Sequence, residues 1–331
     1  MKPSAGATLA GPGGGVNGLA ADLARERRRP HEEGMSSDPA PAFASGPVAA
    51  PAWPDPLGLD ALRGFLDRHR RLFVLTGAGI STGSGIPDYR DADGGWKRVP
   101  PINFQAFTGQ DATRRRYWAR SLAGWPRFAE ARPNAAHHAL AALEARGRIE
   151  ALVTQNVDGL HQRAGQAAVI DLHGRLDQVV CLGCAARRPR AEFQHELLAR
   201  NPGWERHVAE IAPDGDADLE GVDFAAFAVP DCALCGGLLK PDVVFYGESV
   251  PRMRVEAAVA HLRRSDAVLV VGSSLMVWSG FRFVRMAAEA GIPVAMLNRG
   301  RTRADDLLAL KVEADCAQVL PWLAAAPTGL L

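Results

Sequence analysis

At 331 residues the chain has room for two domains, or for one large domain with an insert, and it can bury a sizeable core. Its 47% apolar and 23% charged residues are those of a soluble globular protein, and 38 Lys and Arg against 37 Asp and Glu leave no charge excess to draw nucleic acid or a membrane surface. No run approaches the length and apolarity of a membrane-spanning helix.

Residues 1–55 are rich in Ala, Gly and Pro, with one charged cluster from Arg25 to Arg29. Such a segment buries too little apolar surface to offset its ordering entropy and is expected to be a disordered tail. It lacks the apolar core of a secretory signal, and its acidic residues are unusual for a transit peptide; Met35 is an alternative start. The spacing of Leu57, Leu59, Leu62, Phe65 and Leu66 then predicts a helix over 57–69. The apolar run Leu72–Thr76 reads as a buried parallel strand. It opens into GAGISTGSGIPDYR, Gly77 to Arg90. A strand entering small residues is how a doubly wound sheet brings backbone N–H groups to a dinucleotide pyrophosphate. Gly77 and Gly79 clear that approach, and a turn there is expected to use positive φ. Thr82 stands where the third fingerprint glycine belongs, so the loop alone also fits a tight turn.

Residues 91–107 read as a long mobile loop covering a cofactor, and helices are expected over 113–127 and over 134–146, the second capped by Asn134. Strands follow at 151–154, running into Gln155-Asn156-Val157-Asp158, and at 168–172, ending at His173-Gly174. Between 175 and 247 the pattern breaks into turns and two Cys-x-x-Cys pairs. Alternation resumes with a strand at 267–271 entering Gly272-Ser273-Ser274, a helix over 281–290 and a strand at 292–297 ending at Asn298. Gly77, Asn156, Gly272 and Asn298 thus end four strands, and in an open parallel sheet such carboxyl ends line the ligand crevice. The fold class is α/β: a Rossmann-type doubly wound parallel sheet (56–174 and 248–325) carrying a smaller zinc-binding domain (175–247).

Cys181, Cys184, Cys232 and Cys235 form a four-thiolate set suited to a closed, structural tetrahedral zinc in a reducing compartment. The intervening residues 185–231 exceed the usual ribbon gap, and reduced buried pairs or redox motifs fit the same spacing. A zinc-ribbon DNA binder would need a basic face that the composition lacks. His173, at a strand end, suits a general base near pH 7 and equally a satisfied structural histidine. His161 reads as structural. Asn156 and Asp158 can present an amide and a carboxylate to a ribose or a carboxamide, or act as turn residues. The unpaired Cys316 either fills the core or lines the adenine side.

Together, GAGISTGSGIPDYR, TQNVDGLH, the LHG containing His173, the two cysteine pairs, LKPDVVFYGE and GSSLMVWSG resemble, in order and spacing, the sirtuin family of NAD-dependent protein-lysine deacylases, over about residues 57–320. Tyr89, the long gap between cysteine pairs and RYWARSLAGWPRF (116–128) resemble its class II branch. The resemblance implies NAD as co-substrate, one structural zinc per chain, and acyl-lysine protein substrates lying as a strand along Val243, Phe245 and Gly247. It implies that Ala78, Gly79 and Ser81 hold the pyrophosphate with Arg90 nearby, and that Tyr89 gates nicotinamide. Asn156 orients the ribose and a water, while Val157 and Asp158 hold the carboxamide. Ser273, Ser274, Asn298 and Cys316 line the adenosine half. Gly77, Ile80, Pro87, Asp88, Gln155, Gly272, Arg299 and Gly300 complete the cofactor wall. His173 takes a proton from a ribose hydroxyl, and the products are nicotinamide, lysine and O-acyl-ADP-ribose. Hydride transfer is disfavoured, because no dehydrogenase acid/base pair accompanies the loop. The alternatives are protein mono-ADP-ribosylation and a catalytically weak acyl-lysine or NAD-binding regulator. Residues 94–109 hold no Tyr-x-x-Arg pair of the kind that reads acidic acyl groups, which implies a neutral acyl group. A monomer without nucleic-acid or membrane partners is expected, in a bacterial cytoplasm or, in a eukaryote, the mitochondrial matrix.

Overall fold

Strand β1 (Leu72–Thr76) is buried at every position and lies at the centre of the fold. It pairs in parallel with β2 (Ile149–Thr154) on one side and β7 (Ala267–Val271) on the other. With β3 (Val169–Asp171), β8 (Val294–Leu297) and β9 (Leu310–Val312) these strands make a six-stranded parallel sheet in the order β3-β2-β1-β7-β8-β9. The computed structural model describes residues 55–97, 101–207, 214–217, 219 and 221–325. The tail expected over 1–55 lies outside them apart from Asp55, whose carboxylate accepts the Leu57 N–H and caps helix α1 (Pro56–Arg68).

Alternate side chains of β1 face opposite layers. Leu72 and Val74 join a core with Leu59, Leu62 and Phe65 of α1, Leu140 and Leu143 of α4 (Ala135–Ala145), and Val319 and Leu320 of α9 (Cys316–Ala325). On the other face Phe73 meets Phe283 of α8 (Trp278–Glu289) at 5.7 Å between ring centroids, while α7 (Arg252–Arg264) packs along β2. Each Leu, Val or Phe so buried stabilises the fold by about 1.5–3 kcal/mol. The doubly wound layering matches the sequence reading; β9 and α7 were not foreseen, and α8 begins three residues before the expected 281.

Two expectations are corrected. Residues 175–247 are not a run of turns: β4 (Gly174–Cys181) pairs antiparallel with β5 (Arg187–Pro189) and with β6 (Leu239–Val243), and helix α6 (Arg190–Arg200) packs on them. Alternation there is masked because β4 mixes Arg, Asp and Gln with its apolar residues. The segment 91–107 is not irregular throughout, since helix α2 (Phe104–Gly109) begins inside it, capped by Asn103, and leads into α3 (Asp111–Glu130). Residues 98–100 of that segment lie outside the described residues. Both helices feed a second core with the small sheet, in which Phe107, Trp118 and Leu122 meet Leu176, Val179 and Phe193.

The strand order reverses between β1 and β7, the switch point at which a doubly wound sheet opens its crevice. There the loops after the two strands touch through backbone. Gly79 N–H donates to the Gly272 carbonyl at 2.8 Å. A Cβ on Gly77 would lie 2.7 Å from Ser273 Cβ, one on Gly79 2.9 Å from Gly272 O, and one on Gly272 2.4 Å from Ile80 N. These glycines are needed for loop-on-loop contact. Gly77 is extended (φ −141, ψ −172), and the positive φ values of the region belong to Gly85 (+82) and Gly272 (+59), not to Gly77 or Gly79 as expected. A Gly272→Ala substitution should therefore cost about 1 kcal/mol for the left-handed backbone plus a backbone clash, and lower Tm by several degrees. Gly85→Ala, with open space around it, should cost only the first part. Equal melting shifts for the two variants would overturn this account.

Candidate active site

The loop after β1 runs through two short 3-10 turns, Ala78–Ile80 and Thr82–Ser84. Its far side is held by Asn134, the N-cap of α4, whose side-chain amide donates to the Ile80 carbonyl (2.8 Å) and the Ser84 hydroxyl (3.0 Å). The sequence marked Asn134 only as a cap. Behind the loop His161, on the short helix α5 (Leu160–Arg163), is buried, with Nε2 2.9 Å from Thr76 Oγ1, and its ring lies 4.9 Å from that of buried His137. Burial depresses the pKa of both, that of His137 to about 4, so both are neutral framework residues. The structural reading of His161 holds.

At the end of β2 the polar residues converge on this loop. Asn156 Nδ2 donates to Gly77 O (3.1 Å) and to Ser81 Oγ (3.0 Å), and Ser81 in turn donates to Asp158 Oδ2 (2.7 Å). Asp158 also accepts the Leu160 N–H at 2.9 Å. Burial raises its carboxyl pKa, and the Leu160 and Ser81 bonds act against that rise. Gln155 donates to Ser273 Oγ at 2.7 Å, tying the β2 and β7 loops together. The Val157 carbonyl accepts from Leu176, anchoring the start of the small sheet.

His173 lies between these loops and the small sheet. Its Nδ1 is 2.9 Å from the Gln155 carbonyl and its Nε2 is 2.7 Å from Ser279 Oγ. A carbonyl only accepts, so Nδ1 carries the proton and Nε2 presents its lone pair. Burial drives the imidazole pKa down to about 4; the Gln155 bond opposes the shift, and the positive fields of Arg254 and Arg282 reinforce it. The ring is a neutral base of fixed tautomer.

The remaining residues expected at the cofactor wall divide. Asn298 follows β8, with its amide on Arg299 O at 2.7 Å, and Arg299 pairs with Asp315 at 3.1 Å. The Ser274 carbonyl accepts the Arg303 N–H at 2.9 Å. Gly300 backs onto Ala92, where a Cβ would meet the carbonyl at 2.5 Å. Half-buried Pro87 follows buried Ile86, and Asp88 pairs with Lys97. Arg90 stacks on Trp96 (3.8 Å) and donates to Gly94 O, while Tyr89 meets Trp96 edge-on. Cys316 is core: its thiol lies 3.7 Å from Leu297 O, and burial pushes its pKa up to about 12.

Along the expected peptide wall, Val243 ends β6, and Phe245 meets Phe107 and Tyr117 in an aromatic cluster at 5.1 and 5.3 Å. Much of the backbone there is already used. Val244 N–H bonds His173 O, Phe245 N–H bonds Glu248, and the Tyr246 and Gly247 carbonyls accept from Phe104 and Gln105. A Tyr-x-x-Arg pair does occur, at Tyr117 and Arg120 one helical turn apart on α3, outside the 94–109 window. The absence of such a pair from residues 94–109 therefore does not argue for a neutral acyl group. The insert between the cysteine pairs also reaches this wall. Arg120 Nε donates to Ala217 O at 2.7 Å, the Ala217 N–H returns to Arg120 O at 2.9 Å, and a Cβ on Gly124 would strike the Gly215 carbonyl at 2.1 Å. Burial, with the negative fields of Asp214 and Asp216, holds the phenols of Tyr89 and Tyr117 well above their ordinary pKa. The Tyr117–Arg120 spacing was legible in the sequence, whereas the docking of residues 214–217 was not.

The four cysteine sulfurs lie within 4.8 Å of one another, with Cys181–Cys235 at 3.5 Å and Cys184–Cys232 at 3.8 Å. A tetrahedral zinc with Zn–S near 2.3 Å spaces its sulfurs about 3.8 Å apart, so the donor set fits that ion. The Gly183 and Cys184 N–H groups point at Cys181 Sγ (3.3 and 3.5 Å), as they would toward a thiolate. No cysteine is disulfide-bonded.

The family model described as Sir2 family matches residues 77–279. The NAD-dependent protein deacetylase of Xanthomonas campestris pv. campestris (strain 8004) is 68% identical over 270 residues, covering 82% of this chain and 92% of that protein. The NAD-dependent protein deacetylase of Bordetella bronchiseptica (strain ATCC BAA-588 / NCTC 13252 / RB50) is 64% identical over 262 residues, covering 79% and 96%. A solved structure described as "Sir2-p53 peptide-NAD+" is 29% identical with a TM-score of 0.64, covering 80% of this chain and 96% of that one. With a family model that spans most of the chain and relatives of this identity and coverage, the chain belongs to the Sir2 family.

Proposed function

We propose that this chain is an NAD-dependent protein-lysine deacetylase that cleaves NAD to nicotinamide and passes the acyl group to ADP-ribose. The observation that carries the reading is His173, clamped through Nδ1–H by the Gln155 carbonyl so that Nε2 is a basic lone pair at the crevice. The NAD-binding lobe comprises residues 56–174 and 248–325, and the small zinc lobe comprises 175–247 with α2 and α3 packed against it. Ala78, Gly79 and Ser81 meet the pyrophosphate, and Asn156 and Asp158, already joined through Ser81, orient the ribose and the carboxamide. Rotating and holding that carboxamide makes nicotinamide a better leaving group. The acyl oxygen of lysine takes its place on the ribose carbon, and His173 then accepts a ribose hydroxyl proton. Cys181, Cys184, Cys232 and Cys235 hold one structural zinc, which fixes the knuckles and leaves no position open for water.

Acyl-lysine protein substrates lie along Val243 to Gly247, on backbone groups not already engaged. The class II branch is supported by Tyr89, by the RYWARSLAGWPRF helix and by the long insert that reaches it. The near-balanced charge supports action without nucleic acid, and the reduced cysteine pairs, with relatives from bacteria, support a cytoplasmic location.

Nicotinamide release should require both NAD and an acetyl-lysine peptide. Release without peptide would redirect the reading to ADP-ribosyl transfer, and no release to a binding protein. His173→Ala should keep its NAD affinity and lose about 10²–10⁴-fold in deacetylation, while unchanged turnover would remove the base assignment. A base works unprotonated, and this one is neutral down to about pH 4. The acid limb of kcat/KM should thus fall toward pH 4 to 5, and a limb at the ordinary histidine value would contradict the buried tautomer. Elemental analysis should give about one zinc per chain, with chelation unfolding the small lobe before the NAD lobe; a metal-free, fully folded protein would count against the site.

A further inference from the structure

The lone pair of the candidate base is already occupied. Because His173 Nδ1 carries the ring proton toward Gln155 O, the Ser279 hydroxyl at 2.7 Å must donate its own proton to Nε2. Ser279 is buried, in the first turn of the 12-residue helix α8. Its neighbour Gly280 is pressed on Gln155, where a Cβ would fall 2.4 Å from Oε1. Gln155 therefore fixes both partners: its carbonyl orients the imidazole, and its amide, bonded to Ser273, backs the turn that carries the serine. The pair is held by three loops and cannot drift apart without moving all of them.

A ribose hydroxyl that reaches this base has two routes. It can displace Ser279, stranding a buried hydroxyl without a partner, or it can pass its proton through Ser279. With its hydrogen committed to His173, Ser279 Oγ has lone pairs left to receive one. We propose that Ser279 is a proton relay between the reacting ribose hydroxyl and His173. This rests on the deacetylase reading. The ribose O–H bond breaks and its proton goes to Ser279 Oγ as the Ser279 proton moves to His173 Nε2. The electron pair left on the ribose oxygen forms the bond to the acyl carbon, now the C=N carbon of the ribose-linked imidate, and the C=N π pair moves onto the lysine nitrogen. The resulting imidazolium is bonded at both ends, by Gln155 O and by Ser279 Oγ. The positive end of α8 eases negative charge on the serine in transit.

The test uses the full chain with Ser279→Ala and Ser279→Thr. In ligand-free protein, the ¹⁵N resonance of His173 Nε2 should move toward that of an unbonded acceptor in S279A while Nδ1–H is kept. In single turnovers S279A should lose about 10- to 100-fold in deacetylation, with NAD affinity and nicotinamide release unchanged, and S279T should recover most of the loss. The wild-type rate in H2O/D2O mixtures should curve with deuterium fraction, as two protons in flight require, and become linear in S279A. A linear wild-type dependence, an unmoved Nε2 resonance, or wild-type turnover in S279A would each overturn the relay. If the wild type releases no nicotinamide with acetyl-peptide, the deacetylase reading fails and the relay falls with it.

Discussion

The Gly79 N–H to Gly272 carbonyl bond, 2.8 Å long, joins the two halves of the sheet at the point where the strand order reverses. Everything chemical is referred to it. On one side the β1 loop carries Ser81 toward Asn156 and Asp158; on the other the β7 loop carries Ser273 toward Gln155 and leads into Ser279. Without side chains at 77, 79 and 272 the backbones approach to hydrogen-bonding distance, and any Cβ would push the loops apart. The spacing of the two loops is thereby set by main chain.

From that junction the polar residues form a closed set of contacts. Asn156, Ser81 and Asp158 satisfy one another before any ligand arrives, and Gln155 serves His173 and Ser273 at once. Such preorganisation means that a ligand bound there does not have to supply the order of these side chains. The histidine at the edge has its tautomer fixed by the Gln155 carbonyl, and burial favours its neutral form.

The sheet was legible because β1, β2, β7 and β8 are short apolar runs ending in Gly or polar residues, a pattern fixed by the geometry of parallel strands. His173 and the cysteine pairs were legible from position and spacing. What escaped was non-local. The small sheet hides its alternation under Arg, Asp and Gln on β4. Ser279 gains its meaning only because α8 starts beside His173. The glycines of the β1 loop, read as room for a ligand, also make room for the neighbouring β7 loop. Tyr117 and Arg120 were plain in the sequence, but they lie on α3, beyond residues 94–109.

The insert between the cysteine pairs returns to α3 and sets Asp214 and Asp216 near Tyr89 and Tyr117. Chain length between two metal knuckles is usually free to vary, since a surface excursion alters little. Here an excursion of a given length delivers two carboxylates to an aromatic wall that lies far away in sequence. Insertions and deletions between the knuckles are thus changes of local electric field at Tyr89 and Tyr117.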